Sequence, residues 1–286
     1  PQNYDHRFRG DVPLYKALAN SLNLPAVRVG MDVGVQEVAA TVERLGGRAP
    51  DRPTPSMLLG ALDMAPLEVT QMMQTLAAGG FRTPMRAIRA VLDADGKPLA
   101  RFVLTVRQDA QPQPVFLVTY AMQATVREGT AAALGRTLPA LRLAGKTGTT
   151  NDMRDSWFAG FSADRLMVVW VGRDDNQPTK LTGGSGALPI FTQVMRVLPQ
   201  QPRPLEPPQG IEWVTTDLST GRRATAACPG AVELPYIEGS APAEWSGCGE
   251  TAPNGFLDPE GNAGAQGGDS GSNEESLVDW LNKILP

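Results

Sequence analysis

The segment L-A-G-K-T-G-T-T, Leu143 to Thr150, sets one lysine among glycines and hydroxyl side chains, and it is where this chain is best equipped for chemistry. Lysine is a poor proton acceptor at its reference pKa of ~10.4, but a dry cleft or neighbouring cations tune it for acid-base work. Of five lysines in the chain, Lys146 is the one held between Gly145 and Gly148, where minimal side chains let a ligand lie along the backbone. Thr147, Thr149 and Thr150 add hydroxyl donors. On a strand, alternation places Lys146 and Gly148 on one face and Thr147 and Thr149 on the other. An ordinary surface strand would carry such residues too, so the segment alone leaves three readings open: surface strand, phosphate cradle or acyl-transfer site.

A phosphate loop needs two glycines five residues apart, the second followed by Lys and Ser or Thr at the start of a helix. Gly145 and Lys146-Thr147 fit the second half, but Ala140 stands where the first glycine belongs. Downstream, S-W-F-A-G-F and R-L-M-V-V-W-V read as two strands joined at Ser162-Ala163-Asp164 rather than as a helix. Ser21 and Asn23, in S-L-N, form a second candidate pair, weak alone because both residue types are common caps.

The chain has 286 residues, 42% apolar and 20% charged, with a formal charge of −4, enough for one large domain and an appendage. No basic block exists, which argues against nucleic acid as a partner. No apolar run approaches the ~20 residues that span a bilayer. One histidine, His6, and two cysteines, Cys228 and Cys248, cannot build a histidine-cysteine metal centre in the early region, so no metal is expected.

The elements that must position Lys146 follow from periodicity. Residues 11–20 read as a helix with Asp11 as cap and Pro13 in the first turn. Pro25 discourages Leu24 from continuing a helix. Further helices are expected over Gln36 to Leu45, residues 67–77 (with Met72 and Met73 as core), and Val115 to Val126, which ends at Glu128-Gly129. Two strands, Met85 to Leu92 and Leu99 to Thr105, turn at D-A-D-G. Gly129 to Leu138 reads as a loop leading to the lysine strand. Gly183-Gly184-Ser185-Gly186 precedes a last helix, A-L-P-I-F-T-Q-V-M-R-V-L. This order suits an α/β fold with a sheet covered by helices. Residues 1–198 form its body. A Pro-rich connector covers 199–210, a small unit with both cysteines 211–257, and a Gly/Ser-rich flexible segment 258–274. Residues 275–286 form a short amphipathic helix, with Leu277, Trp280, Leu281 and Ile284 on one face, that either docks on the protein or meets a partner or membrane surface.

Order of motifs decides among the readings. Serine acyl-enzyme sites join S-x-x-K, then S-x-N, then K-T-G, and this chain has the second and third in that order. With N-Y-D-H-R-F-R-G-D-V-P-L-Y-K-A-L-A-N-S-L-N-L-P-A-V, P-L-E-V-T-Q-M-M-Q-T-L-A-A-G-G, A-G-K-T-G-T-T-N-D-M-R-D-S-W-F-A-G-F and W-V-G-R-D-D-N-Q-P-T, residues 1–198 resemble the transpeptidase domain of bifunctional, class A penicillin-binding proteins of Gram-negative bacteria. The resemblance implies a penicillin-binding/serine beta-lactamase-like fold, mainly antiparallel sheet flanked by helices and incomplete at the N-terminus. It implies D-Ala-D-Ala transpeptidation of peptidoglycan stem peptides, with beta-lactams mimicking the donor and no cofactor. Ser21 then passes a proton between nucleophile and leaving amine, Asn23 orients the peptide, and Lys146 supports the proton route. Thr147, Gly148, Thr149 and Thr150 line the substrate, with Thr149 holding the donor carboxylate. Asn23 and Lys146 are expected to converge on one cleft that Ser21 also faces.

One part of the pattern is missing. No serine here has lysine three residues later: Leu24 follows Ser21, Leu59 follows Ser56 and Ala159 follows Ser156. The nucleophile is therefore expected upstream of Pro1, on a segment removed with the glycosyltransferase domain and membrane anchor, or present as a separate N-terminal piece. The alternative is a non-catalytic binding or scaffold module of the same fold. The implied compartment is the periplasmic side of the inner membrane. There, Cys228 and Cys248 are expected to pair as a disulfide.

Overall fold

A computed structural model of the chain describes residues 2–248. The expectations for residues 249–257 of the small unit, the segment 258–274 and the helix at 275–286 lie outside the described residues. Two compact units meet in sequence between Gln209 and Gly210.

In the first unit, helix α1 (Leu14–Ala19) starts behind Pro13, with no side-chain cap, so Asp11 does not play the capping role expected of it. Its end is specific. The Ser21 N–H donates to the Leu18 carbonyl at 3.1 Å and the Leu22 N–H to the Ala17 carbonyl at 2.9 Å, while Ser21 takes a φ of +54°. This is the paired hydrogen-bond pattern that usually ends a helix with glycine in the left-handed position. Helix α2 (Asn23–Val33) follows at once, contrary to the expectation drawn from Pro25. The proline falls in the first turn, where its missing N–H removes no intrahelical bond.

Helices α3 (Val35–Arg44) and α4 (Pro66–Ala77) lie where periodicity puts them, and the Glu68 carboxylate caps α4 by accepting from the Ala65 N–H at 2.8 Å. Two short antiparallel pairs come next: β1 (Phe81–Arg82) with β4 (Arg107–Gln108), and β2 (Ala90–Leu92) with β3 (Pro98–Arg101). The second pair is shorter than the sequence suggests. Every residue of β2 and β3 is exposed, and a two-stranded ribbon with no core face sustains few rungs. Helix α5 (Pro112–Arg127) is the central helix, buried along most of its last three turns. Helix α6 (Ala132–Thr137) occupies the stretch expected to be a loop; packing of the fully buried Leu134 holds a six-residue helix too short to show a period.

Strands β5 (Ala144–Thr149), β6 (Ser156–Phe161) and β7 (Leu166–Val171) form one antiparallel sheet in that order, and α7 (Ala187–Val197) follows. Register pairs Lys146 with Ala159, Thr147 with Phe158 and Thr149 with Ser156. Period-two alternation then divides the sheet's side chains between two cores. Leu143, Phe158 and Val169 pack with Leu134, Leu188, Phe191 and Met195 from α6 and α7, where the Phe158 and Phe191 rings meet edge-on at 4.6 Å. Ala144, Ala159 and Phe161 pack on the other side with Met73 of α4 and Met122 of α5. Met73 is thus core, as expected. Lys146 belongs by alternation to the α4/α5 side, and Thr147 and Thr149 to the α6/α7 side.

The residues after α7 are more than a spacer. Gln201 is tied to the β6–β7 turn through Asp164 at 2.8 Å, and the Arg203 N–H donates to the Leu141 carbonyl at 3.0 Å. The Arg203 guanidinium lies 4.6 Å from the Phe161 ring centroid and donates to the Ala77 carbonyl at 3.2 Å, at the C-terminal end of α4. A cation there meets the negative end of the helix dipole and a π face together.

The second unit is a hairpin of β8 (Ile211–Asp217) and β9 (Ala231–Ile237), paired antiparallel from Ile211 opposite Ile237 to Asp217 opposite Ala231. The buried Asp217 carboxylate accepts from the hydroxyls of Ser219, Thr220 and Ser246, which holds its pKa far below the usual carboxylate range. Cys228 and Cys248 are joined as a disulfide, with Cα atoms 5.4 Å apart.

The Arg203 contacts generate a stability prediction. Arg203→Ala removes a cation-π contact, a helix-end hydrogen bond and buried methylenes, and is expected to cost about 2 kcal/mol in denaturant unfolding. Arg28→Ala, at a side chain 84% exposed, is expected to change stability by less than about 0.5 kcal/mol. Equal effects of the two would contradict the stapled connector.

Candidate active site

Two local rules bring the first pair of site residues together. The hydrogen-bond pattern ending α1 turns Ser21 out of the helix, and β5 projects Lys146 toward the same point. Across 125 residues of sequence, the Lys146 Nζ donates to the Ser21 Oγ at 2.8 Å. It also donates to the Thr147 carbonyl at 3.1 Å. Among the described residues no carboxylate pairs with Lys146. The side chain reaches the surface in part, but its ammonium sits deep, and burial lowers its pKa from 10.5 to about 8. Ser21 spends an acceptor site on the ammonium, which leaves its own proton available to a third group.

Asn23 opens α2. Its Nδ2 donates to the Gln2 carbonyl at 2.8 Å, and the Leu24 N–H donates to the Asn3 Oδ1 at 3.2 Å. Direct contact with Lys146 is thus made by Ser21, while the Asn23 amide holds the N-terminal stretch against α2.

The opposite face of β5 carries the hydroxyls. Thr147 Oγ1 lies 2.7 Å from Thr130 Oγ1, and Thr149 Oγ1 accepts from the Gly183 N–H at 2.9 Å. With its lone pair engaged by a backbone donor, Thr149 has a proton to offer outward. The close approach behind this bond requires glycine at 183. A Cβ there would stand 2.6 Å from the carbonyl oxygens of Gly148 and Trp157. Thr150 faces the following loop, donating to Asp155 Oδ2 at 3.1 Å and accepting from the Asp155 N–H at 2.8 Å. Asp155 in turn accepts from Trp170 Nε1 at 2.9 Å, so the loop is braced on β7.

The sequence reading missed three of these supports. Thr130 follows a Glu-Gly pair that reads as a helix end, Gly183 stands in a glycine run that reads as a helix start, and Asp155 carries no pattern of its own. The glycines were the available signal, since each marks a close backbone approach. The arrangement presents a buried cation with a serine, and beside them two hydroxyls on a strand whose outer edge is unpaired within the sheet. Such a group can move a proton and hold an anionic peptide end.

Comparison with known proteins shows the family. The profile of the penicillin-binding protein transpeptidase domain matches residues 1–196. Penicillin-binding protein 1B of Vibrio cholerae is 45% identical over 236 residues, covering 82% of this chain and 30% of that protein. Penicillin-binding protein 1B of Escherichia coli is 40% identical over 237 residues, covering 82% and 28%. Penicillin-binding protein 1A of Neisseria meningitidis is 34% identical over 224 residues, covering 74% and 28%. The chain therefore spans about 30% of the length of these relatives. In fold, it is similar to the crystal structure of penicillin-binding protein 1A from Haemophilus influenzae, with a TM-score of 0.78 at 22% identity over 86% of this chain and 43% of that one. An imipenem acyl-enzyme complex of penicillin-binding protein A from Mycobacterium tuberculosis gives a TM-score of 0.56 at 23% identity, over 68% and 50%. A sheet between two helical cores, a lysine strand facing Ser21 and a profile match over residues 1–196 lead to one assignment: the chain belongs to the penicillin-binding protein transpeptidase domain family, close to the 1A and 1B proteins of Gram-negative bacteria.

Proposed function

We propose that this chain supplies the proton-transfer and donor-binding half of a peptidoglycan D,D-transpeptidase on the periplasmic side of the inner membrane, acting with a nucleophile carried on sequence outside these 286 residues. The observation that carries the reading is the 2.8 Å contact between Lys146 Nζ and Ser21 Oγ, with the ammonium buried and, among the described residues, without a carboxylate. A buried ammonium that donates to a hydroxyl makes that hydroxyl a better proton donor. Ser21 then delivers its proton to the amine that leaves when a serine nucleophile attacks the D-Ala-D-Ala peptide bond, Lys146 returns a proton to Ser21, and the proton given up by the attacking serine recharges Lys146. Thr147 and Thr149 receive the donor carboxylate, and the edge of β5 at Gly148, which no strand among the described residues pairs, lets the peptide lie along the strand. Thr150 shapes the rim through Asp155. Asn23 orients the donor peptide once substrate draws its amide from Gln2.

Ser21 does not serve as the nucleophile in this reading. Its hydroxyl is bonded to an ammonium that donates rather than accepts, and serine without a base attacks slowly. Incubation of the 286-residue chain with a labelled penicillin, read by intact mass, is expected to give no covalent adduct. A protein that joins this chain to an upstream S-x-x-K is expected to take up one label per chain, and Lys146→Ala in that protein to slow acylation by about 10² or more. An adduct on the chain alone would contradict the division of labour. No adduct on the joined protein would favour a non-catalytic module of the same fold.

The direction of pH dependence follows from the same contact. The protonated form of Lys146 is the donor, and it is lost as pH rises through about 8. Acylation of the joined protein is expected to be level below that value and to fall above it, as read by stopped-flow quenching with a fluorescent penicillin. A rate that climbs through pH 8 would instead make neutral Lys146 the working form.

A further inference from the structure

Between the two halves of the site runs a short loop, Glu128 to Ala131, that links α5 to α6. Gly129 lies so close to the end of α1 that a Cβ on it would stand 2.1 Å from the Ala19 carbonyl oxygen. The next residue uses that closeness. The Thr130 N–H donates to the same Ala19 carbonyl at 3.0 Å, and the Thr130 Oγ1 lies 2.7 Å from the Thr147 Oγ1. One residue thereby joins the helix end that presents Ser21 to the strand that presents Lys146 and Thr147. The Ala19 carbonyl is among those an α-helix leaves without an internal partner at its C-terminus, so the bond also settles a buried acceptor.

The pair of hydroxyls has a directional consequence. In a bond between two hydroxyls one oxygen gives its proton and the other accepts it. When Thr130 donates, Thr147 keeps its proton for a ligand on the β5 side. When Thr147 donates, its proton is spent and its oxygen offers only lone pairs, which repel a carboxylate. An anion at β5 therefore selects the first arrangement, and Thr130 supplies the proton that makes it available at no cost in unpaired groups. Gly183 does the same for Thr149 from the backbone.

We propose that Thr130 is a positioning residue for donor recognition: its hydroxyl turns that of Thr147 into a donor toward the ligand carboxylate, and its N–H fixes the α1 end against β5. This rests on the transpeptidase reading above. Thr130 touches neither substrate nor the reacting atoms in this account, and its effect is confined to binding of an anionic group.

The test uses the joined protein that carries the upstream S-x-x-K, comparing benzylpenicillin with its methyl ester, which keeps the reactive ring and removes the negative charge. Wild type is expected to acylate faster with the acid than with the ester. Thr130→Val keeps shape and removes the hydroxyl, leaving the Thr147 oxygen without its donor and its rotor unfixed; it is expected to lower the acid's second-order rate constant about fivefold, the size of one lost neutral hydrogen bond, and to leave the ester's rate within twofold. Thr130→Ser is expected to restore the preference. An equal loss for both compounds in Thr130→Val, or an unchanged preference, would overturn the positioning role. Failure of the transpeptidase reading looks different, since wild type would then acylate with neither compound. Should Thr130→Val fail to fold, Thr130→Ser and Thr130→Cys keep the test open, because the thiol is a weak donor and should fall between serine and valine in acid-to-ester preference.

Discussion

The structure turns on one contact, a lysine ammonium held in a place where water cannot solvate it well and satisfied by a serine hydroxyl and a backbone carbonyl. Burial disfavours the charged form, and no carboxylate among the described residues offsets that cost. The unfolded chain binds this proton more tightly than the folded one, so the ammonium lowers stability at neutral pH, and stability rises as pH climbs from about 8 to 10.5. A fold keeps such a group only where the surroundings hold it firmly. Here the helix end at Ser21 with its positive φ, the register of β5 against β6, and the Thr130 bridge act together. Backbone strain of this sort gathers where side-chain direction matters more than backbone comfort.

The sheet explains how one strand serves two tasks. Alternation sends Lys146 toward the α4/α5 side and the threonine hydroxyls toward the α6/α7 side, and each side has its own apolar core to keep the strand in register. A slip by one residue would exchange the two faces, putting Lys146 beside Phe158 and Phe191. Phe158, fully buried opposite Thr147, makes that slip costly. Packing far from the cleft thus fixes the chemistry within it. Arg203, clamped on Phe161 and the end of α4, extends the same support to the chain after α7.

Much of this was legible in the sequence because it rests on local rules. The lysine strand, its two partner strands and the helices at 66–77, 112–127 and 187–197 each have a period or a proline near their start. Ser21 and Lys146 stand out by order and spacing, which carry chemistry even when distance does not. Other features depend on tertiary contact and leave no periodic trace. Helix α6 is six residues held by Leu134, the N-terminal end of α2 tolerates Pro25 because the proline falls in the first turn, and Arg203 gains its role only when the connector folds back. Thr130 leaves no such trace because a threonine after glycine is common, and its meaning lies in what Ala19 and Thr147 present to it.

The central claim is that Lys146 is a buried ammonium donating to Ser21. Its most direct test is an NMR titration of the chain with isotopically labelled lysine, with the Lys146 signal assigned by its loss in Lys146→Ala. A midpoint near 8, displaced by Ser21→Ala, is the result expected from the geometry. A midpoint at the ordinary lysine value of ~10.4, indifferent to Ser21, would contradict it.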